Sequence, residues 1–481
     1  MSNKKTAFLK NLIGFSLATW VTFVIGFIAT PISTRLYNTS ELGKINLFNT
    51  YATLISTFVL LGLDQSYVRF YEECRKSKKE KKLLGFCLNV AFIAVALTGF
   101  ILLFFHDFVS WQVLGSYGIL APICMIIYAF GNTASRYVNL NYRMMQDTKW
   151  YNIQAIVFAL ISKLMYLGVA FLYADAKIAI IALSLSVFVS SMIFLYIRRS
   201  YITFNVFKKI DKALVKDISK YAIPLIPVSI LSWANNSVSN IVLRQLLGFS
   251  NLGIYSTAVT LASTINLIQA GFGVYWAPYV YKNYQNDNKS SFWTIHKLMS
   301  CCLALFGIAI ILFQPIIFLL IGKNYRDSML FFPLLMLSPI CYTLAETTGF
   351  GINISKKTYW NLIIFSITIV LNIALCYIFI PFLGTAGAAT AAAIVAIVML
   401  IVRTVIGERY YKSIENYSYA IKCVGITLSA ALINYIFFDY NIIKNILIIF
   451  ILILSLFIFR NEIKFLLSTA KEIISHKKGE N

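Results

Sequence analysis

The sequence predicts an all-α, polytopic membrane protein of about fourteen transmembrane helices, grouped as two six-helix lobes in parallel pseudo-repeat plus a C-terminal helix pair. Three observations carry that expectation. Hydrophobic residues fill 59% of 481 positions and charged residues 13%, against about a quarter charged in soluble chains. Apolar stretches near the roughly 20 residues that cross a bilayer core recur from end to end. Lysine and arginine crowd alternate connections. With the N-terminus in the cytoplasm, about thirty-four of the 42 basic residues lie on that side and about seven outside. Both termini are therefore expected in the cytoplasm. The net charge of +23 follows from loop placement and does not point to nucleic acid.

Taken in order, the expected spans cover approximately residues 11–33, 45–70, 83–105, 112–134, 151–173, 177–197, 218–243, 252–280, 293–320, 329–352, 359–380, 385–406, 418–438 and 441–459. The first follows MSNKKTAFLKN without an A-x-A-type cleavage site, so it reads as a retained helix and not a signal peptide. RKSKKEKK at 75–82 reads first as a solvated cytoplasmic loop, with a lipid-headgroup site as the weaker alternative. At 200–216, Ile202, Phe204, Val206, Phe207, Ile210, Leu214 and Val215 alternate with lysines, the pattern of an amphipathic helix at the interface. That linker divides an N-terminal lobe at 1–199 from a C-terminal lobe at 217–412. Residues 413–481 remain for spans 13 and 14 and a cytoplasmic tail. Span 14, NIIKNILIIFILILSLFIF, is nearly devoid of polar groups and reads as lipid-facing. Scattered cysteines, three histidines and no CxxC lead us to expect neither a disulfide framework nor a metal site.

A faint internal repeat organises these spans. The stretch from Asn240 to Tyr284 echoes one about 210 residues earlier: Ser40, Leu42 and Gly43 fall on Ser250, Leu252 and Gly253. Thr50, Ala52 and Ile55 likewise fall on Thr260, Ala262 and Ile265. Six helices per half bring the second half in with the orientation of the first, hence a parallel repeat.

Polar side chains in a bilayer turn toward protein or a wet cavity. Spans 1, 2, 7 and 8 carry most of them. Asn46, Thr50, Thr53, Thr57 and Asp64 share one face of span 2; Ser229, Ser232, Asn236 and Ser239 share one of span 7, with Asn235 and Asn240 beside them. Span 8 adds Ser256, Thr260, Ser263, Asn266 and Gln269. Any single hydroxyl is ordinary packing glue, but stripes at equivalent places in two halves predict a shared cavity. Pro224 and Pro227 each remove a backbone donor, so span 7 must bend there, as a fixed kink or a hinge. Lys163 lies about 12 residues, roughly 18 Å, into span 5. Asp64 and Glu346 are its acidic counterparts in spans 2 and 10. Each needs a partner, water or a function: either structural lysine–carboxylate pairing, or Lys163 as an anion contact with Asp64 and Glu346 as proton- or sodium-linked switches. Arg35, Arg69, Arg136, Arg143, Arg244 and Arg403 fall near expected helix ends, where snorkelling explains any one of them. Arg35 and Arg244 stand out, because they close equivalent helices on the outer side, against the positive-inside trend.

The span pattern, the PLIP bend at 224–227 and the stretch LGIYSTAVTLASTINLIQAGFGVYWAP from Leu252 together resemble one family. The chain resembles the Wzx-type O-antigen flippases, polysaccharide biosynthesis membrane proteins of the multidrug/oligosaccharidyl-lipid/polysaccharide exporter superfamily. The resemblance spans essentially the whole chain, through diffuse motifs. It implies a multi-pass protein of the bacterial inner membrane that turns an undecaprenyl-pyrophosphate-linked oligosaccharide from the cytoplasmic to the periplasmic leaflet. It also implies a cationic central cavity. Such a lipid needs Arg or Lys for its pyrophosphate, amides and aromatic surfaces for its glycan, and a lateral opening for its tail. Lys163, Arg35, Arg244, Arg69 and Arg136 are candidates for the first. Asn235, Asn236, Gln269, Tyr275 and Trp276 are candidates for the second, although an interfacial aromatic belt also explains the last two.

The expected function is therefore non-enzymatic flipping by alternating access. No Walker A loop is present, so an ion gradient is the expected drive, with no cofactor expected and H+ or Na+ as the coupling ion. Expected partners are the carrier lipid, the bilayer and polysaccharide polymerase or ligase machinery, with the chain itself a monomer. A multidrug or cation antiporter of the same superfamily is the first rival; it calls for an acidic cavity, whereas the charges here include a deep lysine and several arginines. A membrane glycosyltransferase or polymerase is the second, disfavoured by short outer loops.

Overall fold

The computed structural model describes residues 2–202, 211–284, 289–357 and 359–468, with side chains described from Leu17 onward except at 274, 275, 277, 278 and 289. Residues 203–210 of the expected interfacial linker and the C-terminal tail from 469 lie outside the described residues. Among the described residues every regular element is helical. The first part of the chain forms α1 (Ser2–Leu36), α2 (Thr39–Val59), α3 (Leu63–Lys76), α4 (Glu80–Phe104), α5 (His106–Leu114), α6 (Leu120–Met144), α7 (Thr148–Ala170), α8 (Ala176–Ile197), α9 (Lys212–Ala222) and α10 (Leu225–Ala262). The rest forms α11 (Asn266–Asn283), α12 (Lys289–Leu319), α13 (Phe332–Thr348), α14 (Gly351–Ile354), α15 (Tyr359–Leu383), α16 (Thr385–Tyr410), α17 (Ser418–Ile436) and α18 (Asn441–Ile458).

The expected spans fall largely on helix, but the fourth, 112–134, straddles the break at 115–119 between α5 and α6. By length and hydropathy alone, nine described helices qualify to cross a membrane, or eleven when two bent pairs are each taken as one span. One bent pair is α2 with α3, turned by 41°. The spans that fall short are α6, α10 and α11, the helices most loaded with amides and hydroxyls. A polytopic helical membrane protein is thus what the chain builds, while the count of fourteen rests on those polar helices.

Side-chain caps start several helices. Asn38 accepts from the Glu41 amide at 2.9 Å and opens α2. Asp147 and Asp175 do the same for α7 and α8 at 3.2 and 2.7 Å. Each cap satisfies an N–H that the helix leaves without an intrahelical partner.

The chain divides into two compact units, residues 1–256 and 257–481. In the first, α6 packs on α8, α4 and α2, and α1 packs on α7, which also covers α8. In the second, α13 and α15 pack on α16, as α6 and α7 pack on α8 in the first. The added pair is tied in by α17 against α12 and α13, with α18 against α12 and α17. As its composition predicts, α18 leaves Ile442, Ile446, Phe450, Ile453 and Phe457 exposed, an apolar face that suits lipid.

The internal echo has a structural meaning inside the first unit. Helix α10 is broken at one residue: Gly248 stands at φ 82°, ψ −172°, so one helix ends at Leu247 and another starts at Phe249. This break stands 210 residues after the Asn38 cap between α1 and α2. The two breaks meet face to face. A Cβ on Gly43 would fall well inside 3.0 Å of the Phe249 carbonyl oxygen, and one on Gly253 equally close to that of Thr39. Thr39 and Ser250 share a 2.6 Å hydroxyl contact, and Asn46 donates to Ser256 at 2.6 Å. Residue i touches the copy of j while j touches the copy of i, the signature of a two-fold contact. Only glycine permits backbones this close.

A second crossing joins the same helices at their other ends. Gly62, at φ 69°, turns α2 into α3, and a Cβ there would stand 2.6 Å from the Ala222 carbonyl oxygen. Ala222 ends α9, just before Pro224, so the bend of span 2 rests on the bend of span 7. Between the two crossings Trp233 donates its indole N–H to the Thr50 carbonyl at 3.0 Å.

Candidate functional site

Polar side chains within the first unit gather around a cavity of about 580 Å³. Helix α1 contributes Thr22; α2 contributes Thr53, Ser56 and Thr57; α3 contributes Asp64. The opposite wall is α6, through Asn132, Thr133, Ser135, Arg136 and Asn139, with apolar Ala155, Phe158 and Ala159 from α7. Asn132, Ser135, Arg136 and Asn139 sit at i, i+3, i+4 and i+7, one face of a helix. Thr53 and Thr57 back-bond to the carbonyls of Asn49 and Thr53 at 2.7 and 2.8 Å, so their hydroxyls need no other partner to be satisfied there.

One ion pair sits in that wall. Arg136 donates through Nη2 to Asp64 Oδ2 at 2.8 Å, and Gln65 Nε2 reaches the same oxygen at 2.9 Å. The other ion pairs among the described residues join neighbours within four positions along the chain. Asp64–Arg136 alone among them bridges distant elements, 72 residues apart. Its exposure is lopsided: the arginine side chain is 43% exposed, the aspartate 10%. The guanidinium therefore faces the cavity, with the carboxylate behind it. Below, Asn139 donates to Gln154 Oε1 at 3.2 Å, and Gln154 donates to the Ser135 carbonyl at 2.9 Å. That satisfied amide network holds the α6 wall against α7.

The second unit holds a related but separate arrangement. Gln269 Nε2 donates to Glu346 Oε1 at 3.3 Å, and Trp276 Nε1 donates to the Glu346 carbonyl at 2.9 Å. Arg403 lies close enough for its charge to act on the Glu346 carboxyl. Each unit thus sets one acid near one arginine, Asp64 with Arg136 in the first and Glu346 with Arg403 in the second.

The remaining candidates scatter. Lys163 is half-buried on α7, its ammonium 5.5 Å from the centre of the Tyr166 ring, and it does not line the cavity. It takes part in no ion pair among the described residues. Arg35 is exposed at the end of α1. Arg244 lies against the Trp111 and Phe249 rings and donates to the Trp111 carbonyl at 3.2 Å, a packed setting beside the Gly43–Gly253 crossing. Arg69 is on the surface, paired with Glu73 at 2.8 Å. Asn235 is half-buried and Asn236 exposed; the latter back-bonds to the Ser232 carbonyl at 2.9 Å. Trp276 is buried, stacked on Phe272 at 5.1 Å. The Tyr275 side chain lies outside those described. Pro224 occupies the join between α9 and α10, and Pro227 lies in the first turn of α10, where a missing N–H costs little.

Sequence reasoning sets Arg136 near a helix end and passes over Asn132, Ser135, Asn139 and Gln154. The apolar run after His106 draws the expected span to 112–134. The chain breaks at Gly115, φ 71°, so α6 starts later and runs on to Met144, which sets Arg136 two turns inside it. The i, i+3, i+4, i+7 polar stripe is the signal that could have found this wall.

Fold and site together define a polytopic helical membrane protein with a polar, arginine-bearing cavity inside its first unit. The family model described as polysaccharide biosynthesis protein matches residues 8–284, and the chain belongs to that family. Among solved structures, the lipid II flippase MurJ in an inward closed conformation superposes with a TM-score of 0.68 at 16% identity, covering 94% of this chain and 100% of that one. An inward-facing multidrug resistance MATE family transporter of the MOP superfamily gives 0.59 at 16% identity, over 80% and 94%. A Vibrio cholerae MATE transporter gives 0.57 at 12%, over 84% and 98%. These likenesses establish the shared fold. No curated protein matches the chain.

Proposed function

We propose that this protein is a flippase for a polyprenyl-pyrophosphate-linked oligosaccharide, carried from the cytoplasmic to the periplasmic leaflet of a bacterial inner membrane by ion-driven alternating access. The observation that carries this reading is the guanidinium of Arg136, which is the more exposed half of its pair with Asp64 and is presented to a cavity whose remaining lining is hydroxyls, amides and apolar surface. An arginine fork opening on a cavity is suited to pyrophosphate, and the hydroxyls and amides to sugar. The family assignment agrees, as does the flippase fold. The antiporter reading draws on the MATE likeness, but it calls for a bare acid to attract cations, and Asp64 is covered by Arg136. We assign Asp64 and Glu346 as the ion-coupling groups. Undecaprenyl is the carrier expected, the polymerase and ligase machinery the downstream partners, and a monomer the working unit.

Reconstituted protein tests the substrate class directly. Proteoliposomes with a short-chain polyprenyl-pyrophosphate oligosaccharide inside should deliver it to an external lectin faster than protein-free vesicles. Equal rates would reject the proposal. Asp64→Asn together with Glu346→Gln should remove the dependence of that rate on pH and sodium; full retention would rule both residues out as couplers. Lys163→Ala is expected to lower flipping modestly through lost long-range attraction for the pyrophosphate, and an unchanged rate at normal expression would remove Lys163 from the anion path.

The paired bends at Gly62 and Pro224 are the proposed hinge. Pro224→Ala with Pro227→Ala should leave expression intact and slow flipping several-fold. An unchanged rate would make the bend a packing feature.

A further inference from the structure

The cavity places one arginine where two anions want it. We propose that Asp64 and the substrate's phosphates compete for Arg136, so that binding an anion obliges Asp64 to take up a cation. This deepens the flippase reading and rests on it: it says how the coupling ion and the substrate are linked.

The geometry sets up the competition. Asp64 receives Arg136 and Gln65 on the same oxygen, Oδ2, at 2.8 and 2.9 Å. Gln65 is neutral, so the arginine supplies the compensating charge. The guanidinium carries five N–H donors in a planar fork, and a phosphate engages it side-on through two of them. The more exposed partner is the arginine, so an anion arriving from the cavity meets it first. Turning the fork toward that anion weakens or breaks the bond to Asp64.

No other described cation of the cavity wall relieves the result. The lining from α1, α2 and α7 is hydroxyl-bearing or apolar, and Arg136 is the sole basic residue among the described residues that line it. From α4 and α6, Cys87 and Tyr137 lie within electrostatic reach of Asp64, and neither brings a positive charge. Lys163 lies on α7 away from the lining. An anion held by Arg136 and a bare Asp64 carboxylate would thus be two negative groups around one positive one, in a recess that leaves the carboxylate little exposed. Like charges at such range raise each other's cost, and a buried carboxylate without its partner takes a proton or a metal cation instead. The proton comes from bulk water through the cavity and ends on an Asp64 carboxylate oxygen; sodium would bind there as an ion. Either way anion and cation are bound together, the reverse of the competition between substrate and coupling ion that an antiporter uses. The cation then moves outward against its own inward gradient, so the drive for the step is the inside-negative membrane potential acting on the net negative charge left on the pyrophosphate–cation pair.

Reciprocity makes this measurable: if the anion promotes cation uptake, the cation must tighten the anion by the same factor. The full-length protein in nanodiscs would be titrated with a citronellyl-pyrophosphate-linked N-acetylglucosamine, a diester whose phosphates do not titrate near neutral pH. Titrations in two buffers of different ionisation enthalpy, each with and without sodium, report the ions exchanged. The expected result is uptake of about one proton or one sodium ion per bound ligand, with Kd tightening up to about tenfold per unit fall in pH or per tenfold rise in sodium. Proton uptake in choline buffer identifies the proton, and dependence on sodium alone identifies sodium. Asp64→Asn should bind the ligand with no ion uptake and no dependence of Kd on either ion. Should that variant not fold, the wild-type linkage alone still decides. Wild-type binding that ignores both pH and sodium would overturn the shared arginine and leave the flippase reading standing. No binding at all would overturn both.

Discussion

Arg136→Ala is expected to abolish flipping and to lower the stability of the detergent-solubilised protein by about 1–3 kcal/mol. The removed guanidinium is the charged partner of an aspartate only 10% exposed, and no other described cation of the cavity wall replaces it. Half of the pair still touches water, which keeps the figure below that for a fully sequestered ion pair. The check is a thermal unfolding curve beside a flipping rate. Adding Asp64→Asn to Arg136→Ala should restore most of the lost stability, because the orphan charge is gone, and should restore no transport. Recovery of transport in the double variant would mean that Arg136 serves Asp64 and never touches substrate.

The second large effect concerns the crossing of the two repeat copies. Gly43→Leu must force α2 away from the Phe249 carbonyl, because even a Cβ there would fall well inside 3.0 Å of its oxygen. Backbone is what it meets, so no side chain can swing aside. Overpacking of this kind costs about 1–3 kcal/mol or more. We expect flipping to be lost and the Thr39–Ser250 contact to open. A Thr39→Cys/Ser250→Cys pair should cross-link readily in an otherwise unchanged protein and poorly once Gly43→Leu is added. Equal cross-linking in both would show that the crossing tolerates bulk.

Those two sites differ in how plainly the sequence announces them. Gly43 and Gly253 align in the internal echo, together with Ser40 and Ser250, so their importance is readable. That the copies press against each other is not, since an echo specifies equivalence and says nothing of contact. The helical stretches are legible almost throughout, because about 20 apolar residues in a row have few other uses. The polar helices are the exception. Hydropathy pulls the fourth span toward residues 112–134, where Phe108 and Trp111 belong to the separate α5. The real helix tolerates Asn132, Arg136, Asn139 and Asn141 because its polar face looks into the first unit and not at lipid. A hydropathy window averages over that face, so Arg136 reads as a terminal, snorkelling arginine.

The charges illustrate the same limit. Lys163 stands out in the sequence as the deepest lysine, and its ammonium lies over a tyrosine ring outside the cavity. Asp64 is conspicuous as an intramembrane acid, yet its partner stands 72 residues away on another helix. Single-sequence periodicity gives the face of a helix; it does not give which helix stands opposite. Trp276 shows the converse. Its place in a polar span suggests a sugar platform, and the structure sets it among Phe272, Phe292 and Phe350 with its N–H bonded to the Glu346 carbonyl.

The central claim, that the protein moves a lipid-linked oligosaccharide across the membrane, is met most directly by leaflet accessibility in the native cell. Spheroplasts from cells with and without the gene would be exposed to an impermeant lectin or sugar-oxidising label. The account predicts labelled polyprenyl-pyrophosphate oligosaccharide only when the protein is present, with the same lipid accumulating unlabelled inside cells that lack it. Equal labelling in both, with redundant flippases removed, would contradict it and turn attention to export of soluble cations.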